Sequence, residues 1–327
     1  MDNKISRREM LIALPAVAAA ARGFAQTAPS IAVTGINHVT LAVSDLKRST
    51  DFYQGLFGMP IVSRAATGVN LGIGAGPQFL GLSSAGSAAP NVNHICFGVE
   101  NFSVERVTAA LAARGLAATN RGNAGQLYFT DPDGILVQLQ DPKYCGGTGP
   151  LGNVCTSVEA SPKKGLMALK GWSHCTIFTS DGARSNMFYA DLFGLKVQAY
   201  QGPTAPLYAV GGKGEFIMFA GGGGRGRAGA APRAASINHL CMNMDNFQPD
   251  AVIKALESYG IKPRGAGQGT GPTPPLVHYI SMRMENRGGA KEGTPELYFT
   301  DPDGLLIQLQ DTKYCGGAGV LGEICTA

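Results

Sequence analysis

Imidazoles are scarce in this chain, and their placement is not random. Five histidines occur in 327 residues, and four of them sit in segments that recur. His38 in "INHVTLAV" is matched by His174 in "WSHCTIFT", and His94 in "VNHICFGV" by His239 in "INHLCMNM". A neutral imidazole ligates metals through its bare nitrogen, and near neutral pH it can also carry a proton. Alternate side chains of a strand share a face, so His94 points with Cys96 and Gln138 with Gln140. Two histidine-bearing strands, present twice, point to a site for an ion or a polar guest built in duplicate. Four unrelated hydrogen-bonded core histidines would not fall at matched positions by chance.

The rest of the chain repeats as well. "LYFTDPDGILVQLQDPKYCGGTGPLGNVC" (127–155) and "LYFTDPDGLLIQLQDTKYCGGAGVLGEIC" (297–325) agree at 22 of 29 positions. The offset between copies grows from 136 at His38/His174 to 145 at His94/His239 and 170 at the "DPDG" turns. Copy two therefore carries insertions: a Gly/Arg/Ala stretch near 221–233, and about 25 residues around "TPPLVHYISMRMENRGGAKEG". A long insertion beside a cavity suggests a lid, and its His278 is a candidate general acid or base. "GGGGRGRAGAA" lacks the Lys-Ser/Thr and following helix of a phosphate loop and reads as a surface loop.

These residues need elements to position them. In each half-copy a strand carries the histidine. A helix follows, with Phe52, Tyr53, Leu56 and Phe57 at helical spacing and Gly58 as its stop. Short strands broken by Gly and Pro complete the unit. The pattern is β-α-β-β-β four times, an α+β fold. Its domains span 31–155 and 169–327, joined by a linker at 156–168. In "DPDG" the Pro fixes φ and the Gly takes a positive φ, so Asp131, Asp133, Asp301 and Asp303 read as structural. Apolar residues make up 44% of the chain, enough for a real core, and 46 glycines suit a turn-rich β protein. Charged residues are only 15% and the net charge is +4, too mild and too evenly spread for a nucleic-acid partner.

The N-terminus, "MDNKISRREMLIALPAVAAAARGFAQ", has a basic start, an apolar run too short for a membrane span, and small residues before Gln26. Residues 1–25 read as a signal peptide, and Arg7-Arg8 with Met10 and Leu11 as the twin-arginine type. The expected location is periplasmic or secreted, with no membrane association after cleavage. In an oxidising compartment Cys145–Cys155 and Cys315–Cys325 are the expected disulfides, although four cysteines allow three connectivities. Cys96, Cys175 and Cys241 lie in apolar runs and read as buried strand residues.

Taken together, "NHVTLAVSDLKRSTDFYQGLFGM", "VNHICFGV", "YFTDPDGILVQLQD" and their second copies resemble the vicinal oxygen chelate superfamily, which includes glyoxalases, bleomycin-resistance proteins and extradiol dioxygenases. The resemblance covers nearly all of residues 31–327 and is closest to the two-domain extradiol form. It implies modules paired into two cup-shaped β-sheet domains. It also implies ligands for a divalent metal at His38, His94 and Gln138 in copy one, and at His174, His239 and Gln308 in copy two. Glu215 in "KGEFIMFAG" falls near a strand where glyoxalase-like members supply a further ligand; copy one has Gln78 there. Ring-cleaving dioxygenases carry Glu where both copies have Gln, and an amide brings a carbonyl oxygen but no charge.

The resemblance thus implies an exported metal-dependent enzyme acting on a small-molecule substrate, with an extradiol-like dioxygenase first. The alternatives are a glyoxalase-like isomerase or lyase, and a metal-free binding protein. Iron or manganese is the first expectation for the metal, with zinc or nickel also compatible. His278 would shuttle a proton, and Tyr298, like Tyr128, would orient substrate. Copy two is favoured as the working site. Assembly into a homo-oligomer is open.

Overall fold

The computed structural model describes residues 31–122, 125–203, 205–212, 214–221, 234–265 and 274–325. The leader expected at 1–25 lies outside the described residues, as does most of the Gly/Arg/Ala stretch. No helix among the described residues is long and apolar enough to cross a membrane.

The first domain holds β1 (Val33–Val43), α1 (Leu46–Phe57), β2 (Ile61–Ala65), β3 (Gly68–Gly72) and β4 (Phe79–Ser84). It continues with β5 (Asn91–Val99), α2 (Val104–Ala112), β6 (Thr119–Arg121), β7 (Gln126–Thr130) and β8 (Leu136–Gln140). The second repeats the plan with β9 (Gly171–Thr179), α3 (Gly182–Phe193), β10 (Val197–Tyr200), β11 (Pro206–Ala209) and β12 (Phe216–Gly221). Then come β13 (Ser236–Met244), α4 (Pro249–Ser258), β14 (Lys262–Pro263), β15 (Val277–Arg283), β16 (Thr294–Thr300) and β17 (Leu306–Asp311). The sheets run β2-β3-β4-β1-β5-β8-β7-β6 and β10-β11-β12-β9-β13-β17-β16-β15-β14. In each, the two histidine strands pair antiparallel at the centre, and each is flanked by the parallel final strand of a module. The expected α+β plan of four modules in two curled sheets is what the chain forms, with one extra two-residue strand, β14, in the last module.

Helix α1 shows how the local sequence sets this plan. Asp45 caps it by accepting from Arg48 N at 3.0 Å. Gly58 ends it at φ 67°, where a Cβ would also lie 2.3 Å from Lys164 O, so both conformation and space require glycine. Phe52, Tyr53, Leu56 and Phe57 are buried, but partly against the other domain: Phe52 and Phe57 pack on Phe299 of β16. Reciprocally, Phe193 of α3 packs on Phe97 and Phe129. Each fully buried aromatic contributes on the order of 2–3 kcal/mol, so the exchange of helices fuses the two halves into one core.

The "DPDG" turns fasten this exchange. Tyr53 OH donates to Asp301 Oδ2 at 3.1 Å, and Tyr189 OH to Asp131 Oδ2 at 3.0 Å. Asp303 meets Ser44 and Arg48 of the first domain, and Asp133 meets Ser180, Ser185 and Arg184 of the second. Both expected disulfides are present, and Cys96, Cys175 and Cys241 are free and buried. The described part of the insertion is not laid across the cup: it forms β15, paired antiparallel with β16, and a 3-10 turn at Glu285–Arg287. The corresponding β6 has only three residues, so the insertion lengthens the wall of the second cup.

Candidate metal and substrate site

In the first cup, β1 delivers His38, β5 His94 and β8 Gln138. Their side chains meet: His38 Nε2 lies 3.2 Å from His94 Nε2 and 3.1 Å from Gln138 Oε1. The tautomer of His38 is dictated by its neighbour. Asn37 Nδ2 donates to the carbonyl oxygens of Tyr144 (2.9 Å) and Pro142 (3.4 Å), which leaves Asn37 Oδ1 to accept from His38 Nδ1–H at 2.7 Å. His94 Nδ1–H donates likewise to Asn93 Oδ1 at 2.8 Å. Both Nε2 atoms therefore present lone pairs to a carbonyl oxygen and to each other. Burial holds His38 well below the usual histidine range and His94 at about 4, with the neighbouring imidazole and Arg121 adding to the respective shifts.

The second cup repeats the plan with differences. His174 Nε2 lies 3.1 Å from Gln308 Oε1, His174 Nδ1 contacts Ser173 Oγ at 3.0 Å, and His239 Nδ1–H donates to Asn238 Oδ1 at 2.8 Å. His239 Nε2 and Gln308 Nε2 are buried without a hydrogen-bond partner. Burial lowers both imidazoles, His239 to about 4. Phe79 and Phe216 stack on His38 and His174 at 4.3 Å and fix the ring planes.

These donors fit a divalent ion. Ligand atoms about 2.1 Å from a common centre at near-right angles stand about 3.0 Å apart, close to the spacings seen. The second nitrogen of each ring is engaged, which orients it as a ligand. The donor sets are neutral, so a bound cation would leave its charge for a guest to balance.

Other expected site residues lie elsewhere. Glu215 is not part of the second cup. Strand β12 pairs Phe216 with His174, which turns Glu215 to the opposite face. There its Oε2 accepts from Ile36 N at 2.5 Å and its Oε1 from Gln78 Nε2 at 2.8 Å, while Gln78 Oε1 accepts from Trp172 N at 3.3 Å. Glu215 and Gln78 form a pseudo-symmetric bridge between domains. His278 is likewise not in the cup. It pairs with Phe299 on the face away from Tyr298, with Nε2 3.3 Å from Glu257 Oε1 of α4. Tyr298 does face the site, edge-on to His239 at 5.4 Å, with its hydroxyl held well above the usual phenol range by burial. Tyr128 stands in the same relation to His94 at 5.5 Å.

Sequence reasoning missed a charged wall. Glu296, only 3% exposed, accepts from Arg283 Nε at 2.7 Å and Tyr314 OH at 3.1 Å, and its Oε2 lies 3.4 Å from Tyr298 OH. Arg283 is fully buried, and its other nitrogens donate to Gly288 O (2.7 Å) and Gly317 O (2.9 Å). The signal was available: copy one has Gln126 where copy two has Glu296. A cavity of about 190 Å³ lies against this wall, lined by His174, His239, Gln308, Tyr298, Glu296 and Arg287 among others. A larger groove of about 440 Å³ lies between the linker and α4, but no histidine or cysteine lines it.

The two curled sheets with imidazoles at their centres define a protein of the vicinal oxygen chelate class. The sequence pattern of the Glyoxalase/Bleomycin resistance protein/Dioxygenase superfamily matches residues 35–139 and 171–309, and the chain belongs to that superfamily. It is similar to glutathione transferase FosA of Serratia marcescens, with 29% identity over 154 residues, 45% of this chain and 97% of that protein. Among solved structures, it resembles the anaerobic substrate complex of homoprotocatechuate 2,3-dioxygenase from Brevibacterium fuscum. There the TM-score is 0.60 at 19% identity, over 87% of this chain and 82% of that one. The Mn(II)-bound glyoxalase from Novosphingobium aromaticivorans gives 0.58 at 18%, over 85% and 82%. At these identities the two structures establish the fold.

Proposed function

We propose that this protein is an exported metal-dependent enzyme that acts at its second cup on a small substrate presenting two adjacent oxygens. The observation that carries the reading is the meeting of the His174/His239/Gln308 donors with a substrate-sized cavity. His239 Nε2 and Gln308 Nε2 face that site buried and unpartnered, a state that costs about 1–3 kcal/mol each unless a ligand engages them. His174 Nε2, His239 Nε2 and Gln308 Oε1 would hold a divalent ion, with iron or manganese first, and the ion would supply Lewis acidity. Asn238 holds the His239 ring in place. Tyr298 OH orients substrate, and the aromatic floor of Phe216 and Tyr314 excludes water. The leader and both disulfides support export.

Ring cleavage of a catechol-like compound is the first reaction to test, and a glyoxalase-like isomerisation or lysis the second. The amide in both donor sets favours one further reading, a metal-free binding protein, because the protein itself offers the cation no negative charge. The test is metal analysis of the exported chain after loading with Fe(II) or Mn(II), on wild type, His38→Ala and His174→Ala. Oxygen uptake and anaerobic turnover are then followed with a panel of catechols and α-hydroxycarbonyl compounds. Loss of bound ion and turnover in His174→Ala is expected. Wild type without stoichiometric ion overturns the enzyme reading in favour of the binder. Turnover that persists without oxygen assigns the isomerase or lyase.

A further inference from the structure

We propose that Arg287 selects the substrate of the second cup, and that this substrate is a small anion. Its adjacent oxygens would face the ion held by His174, His239 and Gln308, and its acid group would face Arg287. The claim rests on the reading of this cup as the working site.

The charges on the cavity wall support it. Glu296 and Arg283 are both buried and spend their charges on each other at 2.7 Å, and the remaining Arg283 nitrogens are taken by two main-chain carbonyls. That pair contributes no net charge to the cavity. Arg287, on the 3-10 turn Glu285–Arg287, is half-buried and lines the cavity. Its guanidinium makes no ion pair or side-chain hydrogen bond among the described residues, so the wall presents one uncompensated positive charge. The same cavity is lined by His174, His239 and Gln308, which would hold the ion, and Gln308 Nε2 remains there as an unmet donor. A guest that satisfies the set carries an acid group and a neighbouring pair of oxygens. Arg287 arrives on the insertion, whereas the arginine beside the first cup, Arg121, lies over the Tyr128 ring at 4.6 Å.

Calorimetric titration of the Mn(II)-loaded full chain tests this with two probe pairs. Catechol and 3,4-dihydroxybenzoate share vicinal oxygens and differ by a carboxylate. Hydroxyacetone and hydroxypyruvate stand in the same relation without a ring. A hydrogen-bonded charge contact at a half-buried arginine corresponds to an expected preference for the acid of about tenfold or more in at least one pair. Arg287→Gln should erase that preference. Arg264→Gln should retain it, since Arg264 stacks on Tyr279 at 3.9 Å outside the cavity. Equal affinity for acid and neutral probes in wild type overturns the proposal, as does a preference that survives Arg287→Gln or is lost equally in Arg264→Gln. An ion-loaded chain that binds none of the four probes overturns it too. A chain that takes up no manganese fails the proposed function instead, and the acid pairs titrated into that ion-free chain still read the Arg287 contrast.

Discussion

Asp301 offers a direct measurement of what the domain clasp costs. Its Oδ1 accepts from the backbone N–H of Asp303 and Leu305 at 2.9 Å, and its Oδ2 from Tyr53 OH at 3.1 Å. Burial nevertheless dominates, with the like charge of Asp303 adding to it, and lifts the carboxyl to about 6. A carboxyl raised in the folded state binds its proton there at a pH where the unfolded chain has lost it. Stability from this group is therefore fully present below about 3.8 and lost as pH rises through about 6. The whole span corresponds to about 3 kcal/mol, of which about 2.4 kcal/mol falls between pH 4 and pH 7.

Asp301→Asn keeps the shape, since its carbonyl accepts the same two N–H groups and its amide donates to the Tyr53 oxygen, but it cannot ionise. Urea unfolding of wild type and variant at pH 4, 5, 6 and 7 gives a stability difference in which groups common to both chains cancel. The variant should gain on wild type by about 2.4 kcal/mol from pH 4 to pH 7, whatever its offset. A difference that is flat, or moves the other way, refutes the claim that a buried ionised carboxylate is carried in the clasp at neutral pH. Asp131→Asn, opposite Tyr189, should show a trend of the same sign, because burial raises Asp131 as well.

Other perturbations test the site and its supports. Arg283→Met leaves the Glu296 carboxylate buried without its partner and should cost about 3–5 kcal/mol in chemical denaturation, most of it recovered by adding Glu296→Gln. Reducing Cys315–Cys325, which closes a separation of 10 residues, should cost about 2.7 kcal/mol on chain-entropy grounds, read as a lowered unfolding midpoint of the alkylated chain. His278→Gln should leave manganese uptake unchanged by metal analysis, because the ring faces Glu257 on the outer side of the sheet.

What could be read from the sequence follows from the physics of each feature. The histidine strands, the cysteine pairs and the helix stop at Gly58 were legible because each is a local pattern. Strand facing was not, since a one-residue step reverses it. The sequence pattern points to Glu215 as a ligand, but the β12–β9 register gives the inward place to Phe216. The insertion suggests His278 as a proton shuttle, but its pairing with Phe299 turns it outward. The "DPDG" turns were legible as turns only, because Tyr53 lies 248 residues from Asp301 and no local pattern links them.

The two halves differ in a way that separates mechanics from chemistry. The clasps are reciprocal: each "DPDG" aspartate pair holds the first helix of the other domain, and the Gln78–Glu215 bridge serves both cups. The walls are not. In copy one, Gln126 Nε2 donates to Tyr144 OH at 2.8 Å, and the residue paired with it on the short β6, Arg121, lies over the Tyr128 ring at 4.6 Å. Gln126 is only partly buried, whereas Glu296 is closed off from water and needs a cation beside it. Glu296 is tenable only because the insertion prolongs β15 to Arg283, and the same insertion continues to the turn that places Arg287 on the cavity. The buried pair and the free arginine are thus consequences of one added segment, which gives the second cup a charged face over donors the first cup shares.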